Sequence, residues 1–151
     1  REYQYVAANY LKAMQSYLKD SDLPKLERLV VTKSWWDTVD ILDRVVGSLV
    51  YNKPELEKII LQWSLSDNIW LRRVAIDHQL LRKEKTNVQL MEKILLHNLN
   101  QTEFFINKAI GWALRDYSKT NPSWVACFIE KNKERMAELS IKEASKYLSH
   151  H

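Results

Sequence analysis

Apolar residues recur every three or four positions along most of this chain, the spacing of one face of an α-helix. On residues 35–51, Trp35, Val39, Leu42, Val46 and Leu49 fall at i, i+4, i+7, i+11 and i+14. The pattern predicts helices over roughly 2–19, 23–32, 35–51, 54–65, 68–83, 87–98, 103–118, 122–132 and 141–149. Local signals mark their starts. Ser34 with Asp37, and Ser140 with Glu143, have the spacing of capping boxes. Asp67–Asn68, Thr86–Asn87, Thr102 and Asn121 are cap residues ahead of apolar runs, and Pro54 and Pro122 suit a first helical turn.

The helices repeat in pairs. Trp36, Trp70 and Phe104 are spaced by 34 residues, and so are the starts of PELEKIILQW, VQLMEKILLH and PSWVACFIEK. This periodicity predicts an all-α chain: an α-solenoid of HEAT-like helical hairpins forming one domain over residues 1–151. A plain helical bundle is the other architecture the pattern allows. In a solenoid, equivalent helices line up along one surface, where function usually sits.

Two glycines and three prolines are too few for the tight turns of an all-β fold. With 46% hydrophobic residues the chain has material for a core. No run approaches the roughly 20 apolar residues of a membrane span, and no signal peptide is visible. YLKAMQSYLK is amphipathic and is read as packing a repeat, not as touching a membrane. The single Cys127 cannot form an internal disulfide, so a reducing, cytoplasmic location is expected. No Cys/His group has metal-ligand spacing, no glycine-rich phosphate loop occurs, and Asp77–His78 has no companion serine, so neither metal nor cofactor is expected. The net charge of +4 and pI near 9.1 permit nucleic-acid binding without requiring it. The chain begins at Arg1, inside the first predicted helix, and is read as a fragment.

Neighbours on a helix lie about 100° apart, so Trp35 and Trp36 cannot share a face. The apolar stripe assigns Trp35 to the core. Trp36, Asp40, Asp43 and Gly47 form the adjacent stripe, with Asp40 one turn from Trp36. Trp36 is either a half-buried packing residue or part of a binding face. Arg73 interrupts the apolar line Ile69, Ile76, Leu80 and, one repeat on, lies beside the row of Asp40. A buried arginine needs a partner, and Asp40 is the candidate. That pair is a structural bridge or part of a site. On residues 103–118 and just beyond, Lys108, Trp112, Arg115 and Lys119 follow i, i+4, i+7 and i+11. A basic stripe is commonly only a solvated face, but a tryptophan within it fits a base or a cation, and the cations fit phosphates. Gly111, beside Trp112, costs about 1 kcal/mol relative to alanine in mid-helix. It allows close approach of a neighbouring helix or a ligand, or is a packing detail.

TKSWWDTVD, SDNIWLRRVAI and EFFINKAIGWALRDYSKTNP together resemble the AlkD-like bacterial DNA alkylation repair glycosylases. The resemblance spans essentially the whole chain and implies that it is the C-terminal two-thirds of the family domain, without the family's N-terminal helices. It implies a DNA glycosylase that excises positively charged N3- or N7-alkylated purines from duplex DNA by hydrolysing the N-glycosidic bond; a monomer is expected. It places the catalytic acid on Asp40, the active-site tryptophans on Trp36 and Trp112, and the motif arginine on Arg73. Lys33, Arg72, Lys108, Arg115 and Lys119 are the expected DNA-binding positions. The alternative is a non-catalytic helical-repeat module that binds DNA or protein. Asp40 discriminates, because a carboxylate in a cationic groove hinders simple binding.

Overall fold

The computed structural model describes residues 2–32 and 34–148, apart from the side chains of Glu2 and Gln4. They form α1 (Glu2–Ala13), α2 (Leu23–Val31), α3 (Trp36–Val50), α4 (Pro54–Trp63), α5 (Ile69–Asp77), α6 (Val88–His97), α7 (Phe104–Ser118), α8 (Pro122–Asn132) and α9 (Glu138–Ala144). Short 3-10 turns sit between some of them, and no strand occurs among the described residues. The all-α, helical-repeat class read from the sequence is the one observed. Among the described residues no helix is long and apolar enough to cross a membrane.

The chain divides into two compact units, one ending at His78 and the other starting at Gln79. In the first, α3 is central and packs against α1, α2, α4 and α5. Its apolar stripe explains this: Val39, Leu42, Val46 and Leu49 are all buried, as are Val45 and Val50. Each such burial contributes about 1.5–3 kcal/mol. Gly47 sits where α3 meets the end of α5. A Cβ there would stand 2.0 Å from the His78 carbonyl oxygen, so only glycine permits the contact. His78 is itself buried, and its Nδ1 lies 2.7 Å from the Ala75 carbonyl. A carbonyl only accepts, so Nδ1 carries the proton. In the second unit α7 packs against α8 and, most extensively, α9. Ser140 Oγ, buried, donates to the Asn107 carbonyl at 2.7 Å and fixes the register of α9 on α7.

Asn68, Asn87 and Asn121 cap α5, α6 and α8 as expected, each side chain accepting backbone N–H groups of the first turn. Pro54 and Pro122 open α4 and α8. Other expectations are corrected. Ser34 does not cap α3; its hydroxyl donates to the Val30 and Leu29 carbonyls at the end of α2, and Trp35 takes the cap position. Asp37 Oδ1 accepts from the Thr38 N–H at 2.8 Å. Glu103, not Thr102, precedes α7. Ser140 lies inside α9, which starts earlier, after Ala137, so no capping box forms with Glu143.

Trp35 is not a core residue. It is 47% exposed, because its backbone is extended (φ −142°, ψ 161°) and its side chain leaves the chain before the helical stripe begins. Three predicted helices also end early, the last of them at Ala144. After α1 the chain turns, and the Asp22 carboxylate accepts the Lys19 N–H at 2.8 Å. After α5, Gln79 Oε1 accepts the Asn87 N–H at 2.7 Å and Gln79 Nε2 donates to the Asn87 carbonyl at 3.2 Å. Leu81 and Lys83 take φ of 68° and 55°, and Leu81 N–H donates to Asp116 Oδ2 at 2.9 Å. Side-chain bonds to the backbone here outcompete the helical ladder.

Candidate nucleic-acid interface and active-site residues

Trp36 begins α3 and is 45% exposed. One turn on, Asp40 keeps a side chain 23% exposed. Behind it Arg73 of α5 is buried at 2% exposure, with Nε donating to Asp40 Oδ1 at 2.9 Å and Nη2 to Oδ2 at 3.1 Å. The bidentate pair fixes the plane of the carboxylate, which stays partly exposed. The pairing expected from the repeat offset is therefore present. Trp35 stands beside this face with its ring 5.8 Å from that of Trp70, edge to face at 63°. Arg72 is half-buried. Lys33 lies outside the described residues.

Two further acids line the same position from within. Carboxylate oxygens of Asp40, Asp43 and Asp77 lie within 4.8 Å of one another, and Asp43 and Asp77 are buried. Among the described residues this is the group with the geometry to share a metal ion, but the Arg73 guanidinium already supplies positive charge there. Burial, then the charges of Asp77 and Asp40, push the Asp43 carboxyl well above the usual carboxylate range; Arg44 Nε at 3.4 Å opposes them. For Arg73, burial alone favours the neutral form. The hydrogen bond to Asp40 and the charges of Asp77, Asp40 and Asp43 outweigh it and raise its pKa. The sequence pattern had set Asp43 beside Asp40. It carried no signal that Asp77 turns inward to the same place.

The second unit carries the other stripe. Lys108, Trp112 and Arg115 are half-buried on α7, and Lys119 is exposed just past its end. A cleft of about 290 Å³ is lined by Leu80, Trp112, Arg115, Asp116 and Lys119. Lys108 Nζ lies 5.8 Å from the Trp112 ring centre. The cations are not all free of acids. Glu143 of α9 accepts from Lys108 Nζ at 2.9 Å and from Arg115 Nη1 at 3.2 Å. Tyr147 completes the group: Arg115 Nη2 donates to its hydroxyl at 3.4 Å, and Arg115 and Lys119 sit 5.3 and 5.0 Å from its ring centre. The hydrogen bond to Lys108, then that to Arg115, hold the Glu143 carboxyl below its ordinary range despite partial burial. The Tyr147 bond is the main cause that raises the Arg115 pKa. Sequence reasoning missed Glu143 and Tyr147 as members of this face.

The sequence profile of DNA alkylation repair enzymes matches residues 1–148. The chain belongs to the DNA alkylation repair enzyme family. A solved structure described as a predicted DNA alkylation repair enzyme from Enterococcus faecalis is 38% identical and superposes with a TM-score of 0.90. It covers all of this chain, which in turn covers 70% of that protein. No curated protein matches the sequence. Exposed aromatic rings and a held carboxylate can each face a cation, and lysines and arginines can face phosphates.

Proposed function

We propose that this DNA alkylation repair enzyme is a glycosylase that releases positively charged N3- or N7-alkylated purines from duplex DNA. The observation that carries the reading is the Asp40 carboxylate, clamped by buried Arg73 and open to solvent one turn from exposed Trp36. A carboxylate held in this way is pre-organised toward a developing positive charge.

The chemistry follows from the lesion. An alkylated purine already carries positive charge, so it leaves with the glycosidic electron pair as a neutral base and needs no general acid. Positive charge then grows on the sugar at C1′. Asp40 stabilises that oxocarbenium-like state and orients a water, whose oxygen bonds to C1′ while its proton passes to the carboxylate or to solvent. Trp36 holds the cationic nucleotide through its ring face, at about 0.5–2 kcal/mol, and Trp112 offers a ring face of the same kind on the second unit. Arg73 is a positioning residue for Asp40. Arg72, Lys108, Arg115 and Lys119, with Lys33, neutralise phosphates, which makes binding salt-dependent.

The test is release of free 7-methylguanine from methylated duplex DNA, read with the accompanying appearance of abasic sites. Both are expected to rise with time in the presence of the protein. The second reading, a module that binds DNA without cutting the bond, is favoured by one observation: Asp40–Arg73 also has the form of a structural bridge between α3 and α5. Duplex binding with neither product would decide for that reading.

A further inference from the structure

Glu143 is an acid where a phosphate-binding face has no obvious need of one. Three features fix it there. Ser140, one turn earlier, is buried and bonded to the Asn107 carbonyl, so α9 has a fixed register on α7. Gly111 lies under Glu143: a Cβ at that position would stand 2.7 Å from the Glu143 Cβ, so glycine is what lets α9 come this close. The two carboxylate oxygens then divide between two cations, Oε1 to Lys108 Nζ at 2.9 Å and Oε2 to Arg115 Nη1 at 3.2 Å.

This is the geometry of a phosphate held between two basic side chains. Both partners keep access to solvent, with side chains 25% and 30% exposed, and Glu143 keeps 21%. None of the three is locked away in a core. Arg115 also lines the cleft with Trp112 and Lys119. A DNA phosphate approaching this face therefore competes with Glu143 for Lys108 and Arg115, and the carboxylate repels it until the pairs exchange. Asp116, in the same cleft, adds a second negative charge.

We propose that Glu143 is an internal stand-in for a DNA phosphate, which occupies Lys108 and Arg115 in the free protein and lowers the grip on undamaged duplex. The inference rests on the reading of this face as a DNA interface and extends it to discrimination. Undamaged duplex offers only its phosphates and must displace Glu143. A cationic lesion meets the same displacement but adds ring contacts that undamaged DNA lacks. Glu143 therefore weakens both complexes equally and leaves undamaged duplex, without those contacts, the one held too weakly to compete. Gly111, whose purpose the sequence left open, is the residue that makes the arrangement fit.

The experiment compares wild type, Glu143→Gln and Glu143→Ala for binding to an undamaged duplex across a salt series. Glu138→Gln, which removes an acid from an exposed position of the same helix, is the control for net charge. Thermal melting checks that each variant is folded, and two substitutions at 143 guard against the loss of one. Both are expected to bind about fivefold tighter than Glu138→Gln, the scale of a partly exposed ion pair. Their log–log salt slope should steepen by up to about one, as one more counterion is released. Affinity and slope equal to those of Glu138→Gln would overturn the proposal and leave the glycosylase reading, judged by base release, standing. Absence of duplex binding by wild type and every variant would overturn the proposal together with the DNA-interface reading beneath it.

Discussion

Replacing Arg73 by methionine removes the guanidinium while keeping most of its length, and so isolates the charge at the centre of the first unit. Arg73 is 2% exposed and makes charge-assisted bonds of 2.9 and 3.1 Å to Asp40. Without it Asp40, Asp43 and Asp77 remain, with carboxylate oxygens within 4.8 Å. Two unit charges at that separation repel by about 3.5 kcal/mol at an effective dielectric constant of 20. Asp43, already inclined to keep a proton, relieves part of this. Breaking one side of such a pair costs about 3–5 kcal/mol, or a melting temperature lower by roughly 6–20 °C for a chain of this size. Arg73→Met combined with Asp40→Asn should regain part of the loss, because the second change removes one of the stranded charges. Thermal and urea unfolding of the four proteins in this cycle measure the coupling, expected at about 1.5 kcal/mol or more. Arg73→Met within about 1 kcal/mol of wild type, or a cycle without coupling, would refute the electrostatic account.

Gly47→Ala should destabilise by about 1–3 kcal/mol or more, against the gain of about 1 kcal/mol usual for this change in a helix, since the new Cβ meets the His78 carbonyl at 2.0 Å. A melting temperature above wild type would contradict that packing. Asp43 has a folded pKa above its unfolded value, near 3.8, so its contribution to stability is complete below that value and is lost as pH rises through the folded pKa. Asp43→Asn should therefore gain stability relative to wild type as pH rises from about 4.5 to 7.5 in urea unfolding, and a pH-independent difference would count against a protonated Asp43.

Much of the first unit was legible because its signals are local or repeat at a fixed offset. The stripe on α3 is buried as written, from Val39 to Leu49. The Asp40–Arg73 pair followed from an interrupted apolar line and a 34-residue period, and the bond joins residues 33 apart. What escaped is non-local. Helical spacing placed Trp35 in the core because it ignores the cap, where the backbone is extended and the stripe has not begun. The end of α5 is set by Gln79 reaching Asn87, a bond that no periodicity encodes. Glu143 looked like half of a capping box, because only the buried Ser140 contact reveals which turn of α7 it faces.

Asp40 carries the central claim, and Asp40→Asn tests it with the least disturbance. Asparagine keeps the shape and an oxygen for Arg73 but removes the charge that would face the sugar. Single-turnover release of 7-methylguanine from methylated duplex, with binding to that duplex measured alongside, separates chemistry from grip. The account predicts release slower by about 100-fold or more, with duplex binding retained or tightened. Release at the wild-type rate would contradict it.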